Sequence, residues 1–265
     1  MRLMSREYKI YLRNIKREKI FVYIVQILLL LIGLVIWELL SSNNVINSFI
    51  YSSPSKIINT LVLLYKQNNL FNNIWVTVYE TIISFSLATL LGTLIAIVLW
   101  YSKFLYKVID PYLTVLNSLP KVALGPIIII LFGANINSII IMALLISLII
   151  TISNVYSGFI NTDKGKIKLM KSFNASKFQM LKYLIIPYNY HVIINSLKIN
   201  VGLSLVGVIM GEFLVSKSGI GYLINYGSQV FNLNLVFTGI IILIIVSYLM
   251  YLLILYIEKI LIKNN

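Results

Sequence analysis

KLMKSFNASKFQMLKYLIIP, residues 168–187, stands between two long apolar runs and carries Lys168, Lys171, Lys177 and Lys182. Its apolar residues recur at helical spacing on either side of Asn174-Ala175-Ser176. Residues 166–173 fit about two helical turns, with Leu169, Met170 and Phe173 on one side. Asn174 suits the end of that helix, because asparagine tolerates the left-handed conformation a helix terminus often needs. Ser176-Lys177-Phe178-Gln179 then matches S-x-x-Q, in which serine and glutamine satisfy the first free amides of a second helix. Pro187 is expected in the first turn of the following apolar run, where its missing amide costs little. The stretch reads as a helix, a bend, and a second helix leading into the apolar run. Such an insert can lie amphipathically among lipid headgroups or fill a partner's groove.

The flanks decide the solvent. Of 265 residues, 59% are hydrophobic and only 11% charged, with a mean hydropathy of +0.92. That balance belongs to a chain whose solvent is mostly lipid. Cysteine is absent, which excludes disulfides and thiolate metal sites. A bilayer core takes roughly 20 apolar residues of helix, and such runs occur at 21–40, 74–100, 112–132, 136–155, 190–210 and 235–257. The third is interrupted by Pro120 and Lys121, a break that a membrane tolerates only where protein or a water-filled cavity covers it. With the N-terminus inside, only Lys56, Lys66 and Lys217 of the 22 lysines and arginines fall outside, while Lys121 and Lys198 fall within spans. Positive charge marks the cytoplasmic side, so both termini and the insert are expected there. The parts are then a basic segment 1–20, a transmembrane domain 21–258 with an insert at about 163–187, and a tail 259–265. The formal charge of +14 flanks spans and does not form a nucleic-acid patch. The leader is expected as a solvated arm or an interfacial helix.

No G-x-x-x-x-G-K-[ST] is present, hence no phosphate-cradling loop, and no H-E-x-x-H. The single histidine, His191, reads as an interfacial side chain. No catalytic residue, metal site or cofactor is expected of this chain. Uphill movement of a solute would therefore draw on an ion gradient or a separate ATPase. Lys198 is near the middle of the fifth run, where a lysine costs about 2.5–3.5 kcal/mol on insertion scales and must face protein or water. Asn195, one turn earlier, shares its face. The pair can line a cavity that favours an anionic solute, or Lys198 can pair with Glu212, Glu80 or Glu38. Lys121 is a second candidate of the same kind. Glu80 and Glu212 are expected near the outer ends of their spans, within reach of water.

The insert resembles the cytoplasmic loop of membrane subunits of bacterial ABC importers, whose pattern is E-A-A, three residues, G, nine residues, I-x-L-P. Leu184-Ile185-Ile186-Pro187 occupies its end, Asn174 stands on its glycine, and Lys168-Leu169-Met170 replaces E-A-A. Ser53-Pro54-Ser55, Asp110-Pro111, Ser118-Leu119-Pro120, Leu124-Gly125-Pro126, Phe132-Gly133, Gly211-Glu212 and 219–224 resemble, in order and spacing, the branch handling nitrate, sulfonates, taurine and some vitamin precursors. The resemblance implies an all-α integral membrane protein of the type I importer permease kind, with six transmembrane helices and a coupling helix between the fourth and fifth. It implies docking on an ATPase through Leu169, Met170, Phe173, Asn174, Ala175, Ser176 and Phe178, with Pro187 closing the loop. It puts Gly219 and Gly221 in an outer loop near a binding protein; Lys198, Asn195, Lys121 and Glu212, polar or charged within or at the ends of spans, are the candidates for the translocation pathway. The implied partners are cytosolic ATPase subunits that bind ATP and Mg, a second copy of the permease, and an extracytoplasmic solute-binding protein, in a bacterial plasma membrane. An ion-coupled secondary transporter and a membrane scaffold or assembly protein are the alternatives.

Overall fold

The structure, a computed structural model, describes residues 6–263, and among these every regular element is helical. Residues 1–5 of the basic leader and residues 264 and 265 of the tail lie outside the described part. The chain divides into two compact units, meeting at Leu63 and Leu64.

The first unit holds α1 (Arg6–Ser42), α2 (Ser48–Tyr51) and most of α3 (Pro54–Lys66). The leader from Arg6 onward is neither a separate arm nor a separate interfacial helix, because α1 runs through it without a break. Leucines, isoleucines and valines of α1 stand exposed along the apolar run, the surface a lipid-facing span presents. Glu38, a candidate partner of Lys198 from sequence, caps α3 instead, accepting from Ser55 N (3.0 Å) and Ser55 Oγ (2.9 Å).

The second unit is built on α4 (Asn69–Tyr101), α7 (Ile136–Ile160) and α11 (Tyr190–Val215), which pack on one another more extensively than any other helices. In lipid no hydrophobic drive separates helix from solvent, so close approach of small residues and buried hydrogen bonds must hold the helices together. Gly92 faces Thr151 so closely that a Cβ there would come within 2.6 Å of its side chain, and one at Gly207 would come within 2.5 Å of the Ala143 backbone. Asn200, fully buried, donates to Thr89 Oγ1 (2.8 Å) and Thr151 Oγ1 (2.7 Å), joining all three helices. Around this core lie α5 (Lys103–Ser118), α6 (Gly125–Phe132), α12 (Ile220–Gln229) and α13 (Leu233–Lys263).

Among the described residues five helices are long and apolar enough to cross a membrane, or six when Lys103–Ser118 and Lys121–Phe132 count as one span bent by 93°. The sequence placed that span at 112–132 with a break; the helix starts earlier, at Lys103, behind an N-cap from Ser102. The bend falls where Leu119 turns extended before Pro120, as the residue before a proline prefers.

Candidate functional site

The insert forms as its spacing predicts. Asp163 caps α8 (Lys164–Ser172) by accepting from Lys166 N (2.8 Å). The helix stops at Asn174 (φ 53°): Ala175 N donates to Met170 O (3.1 Å) and Asn174 N to Lys171 O (2.9 Å), the paired bonds of a left-handed helix stop. Ser176 and Gln179 then make the reciprocal capping box, Ser176 N to Gln179 Oε1 (2.7 Å) and Gln179 N to Ser176 Oγ (3.2 Å). The second arm runs through α9 (Lys177–Met180), a π-helical turn (Leu181–Ile185) and α10 (Ile186–Tyr188). Pro187 is thus in the last turn of this arm, not the first turn of the fifth span. Its missing donor falls where the ladder has already widened, since Ile186 N reaches back to Leu181 O.

The tip and the base of the insert have opposite character. At the tip Leu169, Phe173 and Phe178 are 57%, 74% and 63% exposed, with Met170 and Ala175 half-buried and Asn174 and Ser176 exposed; Pro187, near the base, is exposed too. At the base Leu181 and Ile185 are buried among Leu99, Val155 and Phe159 of α4 and α7. Asn189, also buried, donates to Thr162 Oγ1 (2.7 Å) and Ile185 O (2.9 Å), clasping the two ends of the insert just before α11 begins. A push on the tip would therefore move packed side chains of α4, α7 and α11 together, since close-packed groups transmit strain.

A second constellation sits at the other end of α11. Glu212 Oε1 accepts from Thr77 Oγ1 (2.6 Å) and Oε2 from Gly221 N (2.5 Å). Thr77 Oγ1 accepts from Ile220 N (2.8 Å), and Asn73 Oδ1 from Gly219 N (2.7 Å). The free amides at the start of α12 are thus met by side chains of α4 and α11, where a carboxyl group is favoured. Gly219 has φ 114°, and a Cβ on it would run into the Glu212 carboxylate. Sequence reasoning saw the glycines but missed Asn73 and Thr77, which lie more than a hundred residues away. Glu80 and Glu212 are not reached by water, being 0% and 1% exposed, because α12 folds back over this end of α4 and α11. Among the described residues no group meets a Glu80 oxygen in hydrogen-bond geometry, although its carboxyl lies close enough to that of Glu212 for the two to interact.

Lys198 is paired, but with none of the acids the sequence suggested. Its Nζ is 2.6 Å from Glu258 Oε2 on α13. The pair sits at one end of a groove of ≈ 720 Å³ lined mainly by apolar residues of α11 and α13, including Val201, Leu205 and Tyr248. Asn195 faces elsewhere, into a cavity with Asn154, Asn161 and His191, because the turn of α11 separates them. Lys121, half-buried, donates to Asn117 O (3.0 Å).

The profile of the family described as binding-protein-dependent transport system inner membrane component matches residues 88–263, from α4 through the insert to α13. The chain belongs to this family. The permease is 27% identical over 225 residues to a probable ABC transporter permease protein of Haemophilus influenzae, covering 84% of this chain and 91% of that one. It is 26% identical to the putative aliphatic sulfonates transport permease protein SsuC of Bacillus subtilis, over 80% and 77% of the two chains. In fold it is similar to the MetNI methionine ABC transporter in inward-facing form, with a TM-score of 0.62 at 15% identity over 72% of this permease and 94% of that chain. It is therefore a permease of the type I importer fold, a multi-pass inner-membrane component of a binding-protein-dependent transport system.

Proposed function

We propose that the permease imports a small anionic solute by alternating access, driven by ATP bound and hydrolysed, with Mg, in cytosolic ATPase subunits docked on residues 163–187. The observation that carries this reading is the contrast within the insert. Its apolar tip at Leu169, Phe173 and Phe178 is exposed, while its base is clasped and buried. An exposed apolar helix face fits a partner's groove, and a rigid base couples that groove to the spans. Lysines and arginines concentrated beside the insert and at both chain ends support a cytoplasmic placement of all three. The relatives named for aliphatic sulfonates and for nitrate import support an anion as the solute, and those named for formylaminopyrimidine and riboflavin support a vitamin or its precursor as the second reading. A symmetric pair of permeases and an extracytoplasmic binding protein near the Gly219–Gly221 loop complete the assembly. Membership of the permease family, which supplies the membrane subunit of such transporters, favours it over a secondary transporter or a scaffold.

Co-purification tests the docking surface. The wild-type chain should retain an ATPase subunit, and the double variant Phe173→Asp with Ala175→Asp should lose it while keeping its elution volume and helical content. Undiminished retention by a folded double variant would contradict the assignment of the insert.

A further inference from the structure

The side chains of α5 divide into three faces. Leu105, Tyr106, Ile109 and Leu113 pack on the α4–α7 core, with the Tyr106 and Tyr156 rings stacked 3.8 Å apart. Phe104, Val108, Tyr112 and Val115 form an exposed apolar face suited to lipid. The third face is polar: Asp110, Thr114, Asn117 and Ser118 follow one another at helical spacing, and Lys121 continues the row past the bend. Thr114, Asn117, Ser118 and the broken backbone at Leu119 and Pro120 are exposed. Neither a lysine nor an irregular backbone faces lipid within a span, so this row borders water or protein.

Charge compensation separates the two lysines of the spans. Lys198 has Glu258 at 2.6 Å. Among the described residues Lys121 has only neutral partners, the Asn117 carbonyl and side-chain oxygens at 3.0 and 3.4 Å. The acids placed within the spans are already engaged or enclosed. Of the 8 acidic residues, Glu7 and Glu18 belong to the basic leader, and Glu38 and Asp163 cap helices. Asp110 accepts from Tyr106 Oη (2.6 Å), Glu80 and Glu212 are buried, and Glu258 holds Lys198.

We infer that Lys121, with Asn117 and Ser118 beside it, forms an oxyanion-recognition site on a water-filled path at the bend of the third span. This rests on the reading of the permease as an importer of an anionic solute, and names Lys121 rather than Lys198 as the group that selects it. The ammonium supplies the charge, and the amide and hydroxyl supply donors for sulfonate or nitrate oxygens. A lipid phosphate offers the same oxyanion chemistry, so the experiment must separate the two sources.

The chain has no cysteine, so Asn117→Cys or Ser118→Cys places a single thiol in the full-length protein. In phosphatidylcholine nanodiscs, with each rate divided by that of the same reagent with a free thiol in solution, each thiol should favour the anionic reagent methanethiosulfonate ethylsulfonate about tenfold over its trimethylammonium counterpart, as a cationic cleft concentrates anions. Lys121→Gln in the same background should bring the two rates together, and Lys121→Arg should preserve the difference. Methanesulfonate or nitrate should slow the reaction only while the cation is present. An unreactive thiol, or an anion preference indifferent to Lys121→Gln, would overturn the site. Slowing by phosphatidylglycerol in the nanodisc but not by soluble anions would assign it to lipid and overturn the solute reading. The assay needs neither ATPase nor turnover, so failed ATPase docking and a failed anion site are told apart.

Discussion

The two buried glutamates make a controlled comparison, because Glu80 and Glu212 share burial and differ in partners. Replacing each by methionine removes a carboxyl group at nearly constant volume. At Glu212 the change leaves Gly221 N without its acceptor, while Thr77 Oγ1 keeps the Asn73 carbonyl at 3.3 Å. A buried group left so costs about 1–3 kcal/mol, and the start of α12 also loses a favourable charge or dipole worth about 0.3–1 kcal/mol. The expected loss for Glu212→Met is therefore ~1–4 kcal/mol. At Glu80 no hydrogen bond is lost, and an orphaned polar group gives way to an apolar one, so Glu80→Met should be neutral or stabilising by ~1 kcal/mol. Thermal unfolding in detergent, followed by the fraction still monodisperse in size-exclusion chromatography, reads both variants. For a chain of this size the Glu212 change corresponds to a lowering of roughly 2–16 °C, at about 2–4 °C per kcal/mol. Glu212→Gln, which keeps one acceptor, should fall between. Equal transition temperatures for the two methionine variants would refute the assignment of Glu212 as the clamp of the α12 terminus.

The ion pair of Lys198 and Glu258 is partly exposed, at 20% and 23%, so a double-mutant cycle with Lys198→Met and Glu258→Leu should give a coupling energy of only ~1 kcal/mol. A coupling near zero in the same unfolding assay would mean that the pair does not hold α11 to α13. Asn174, at φ 53°, should accept glycine with a change below about 1 kcal/mol and keep the ATPase bound, whereas Asn174→Val should cost ~1–2 kcal/mol through its β-branched side chain. Retention of both stability and ATPase by the valine variant would show that the bend does not depend on the left-handed residue.

Much of this architecture was legible because lipid imposes long runs. The starts at Ile136 and Tyr190 agree with α7 and α11, since an apolar stretch in a membrane has little choice but a helix. Local signals also read well: Asn174 and the Ser176–Gln179 box each act within a few residues. What failed was long-range. The face of α11 nominated Asn195 beside Lys198, yet the partner is Glu258, on a different helix. Asn200 lies off that face and no local pattern marks it, yet it joins three helices through Thr89 and Thr151. Span-end position suggested wet glutamates; α12 covers them, and no local pattern announces that fold-back. Pro120 announced a break but not a bend of 93°, which depends on how α6 seats Gly125 against Leu214 and Met142.

The central claim is that the insert meets an ATPase with its apolar tip. A photo-crosslinking amino acid at Phe173, 74% exposed, compared with one at Phe231, 73% exposed in the turn before α13, tests it with matched exposure. Irradiation of the assembled transporter should give a permease–ATPase adduct from position 173 and none from position 231. Adducts of equal yield from both positions, or from position 231 alone, would contradict the account.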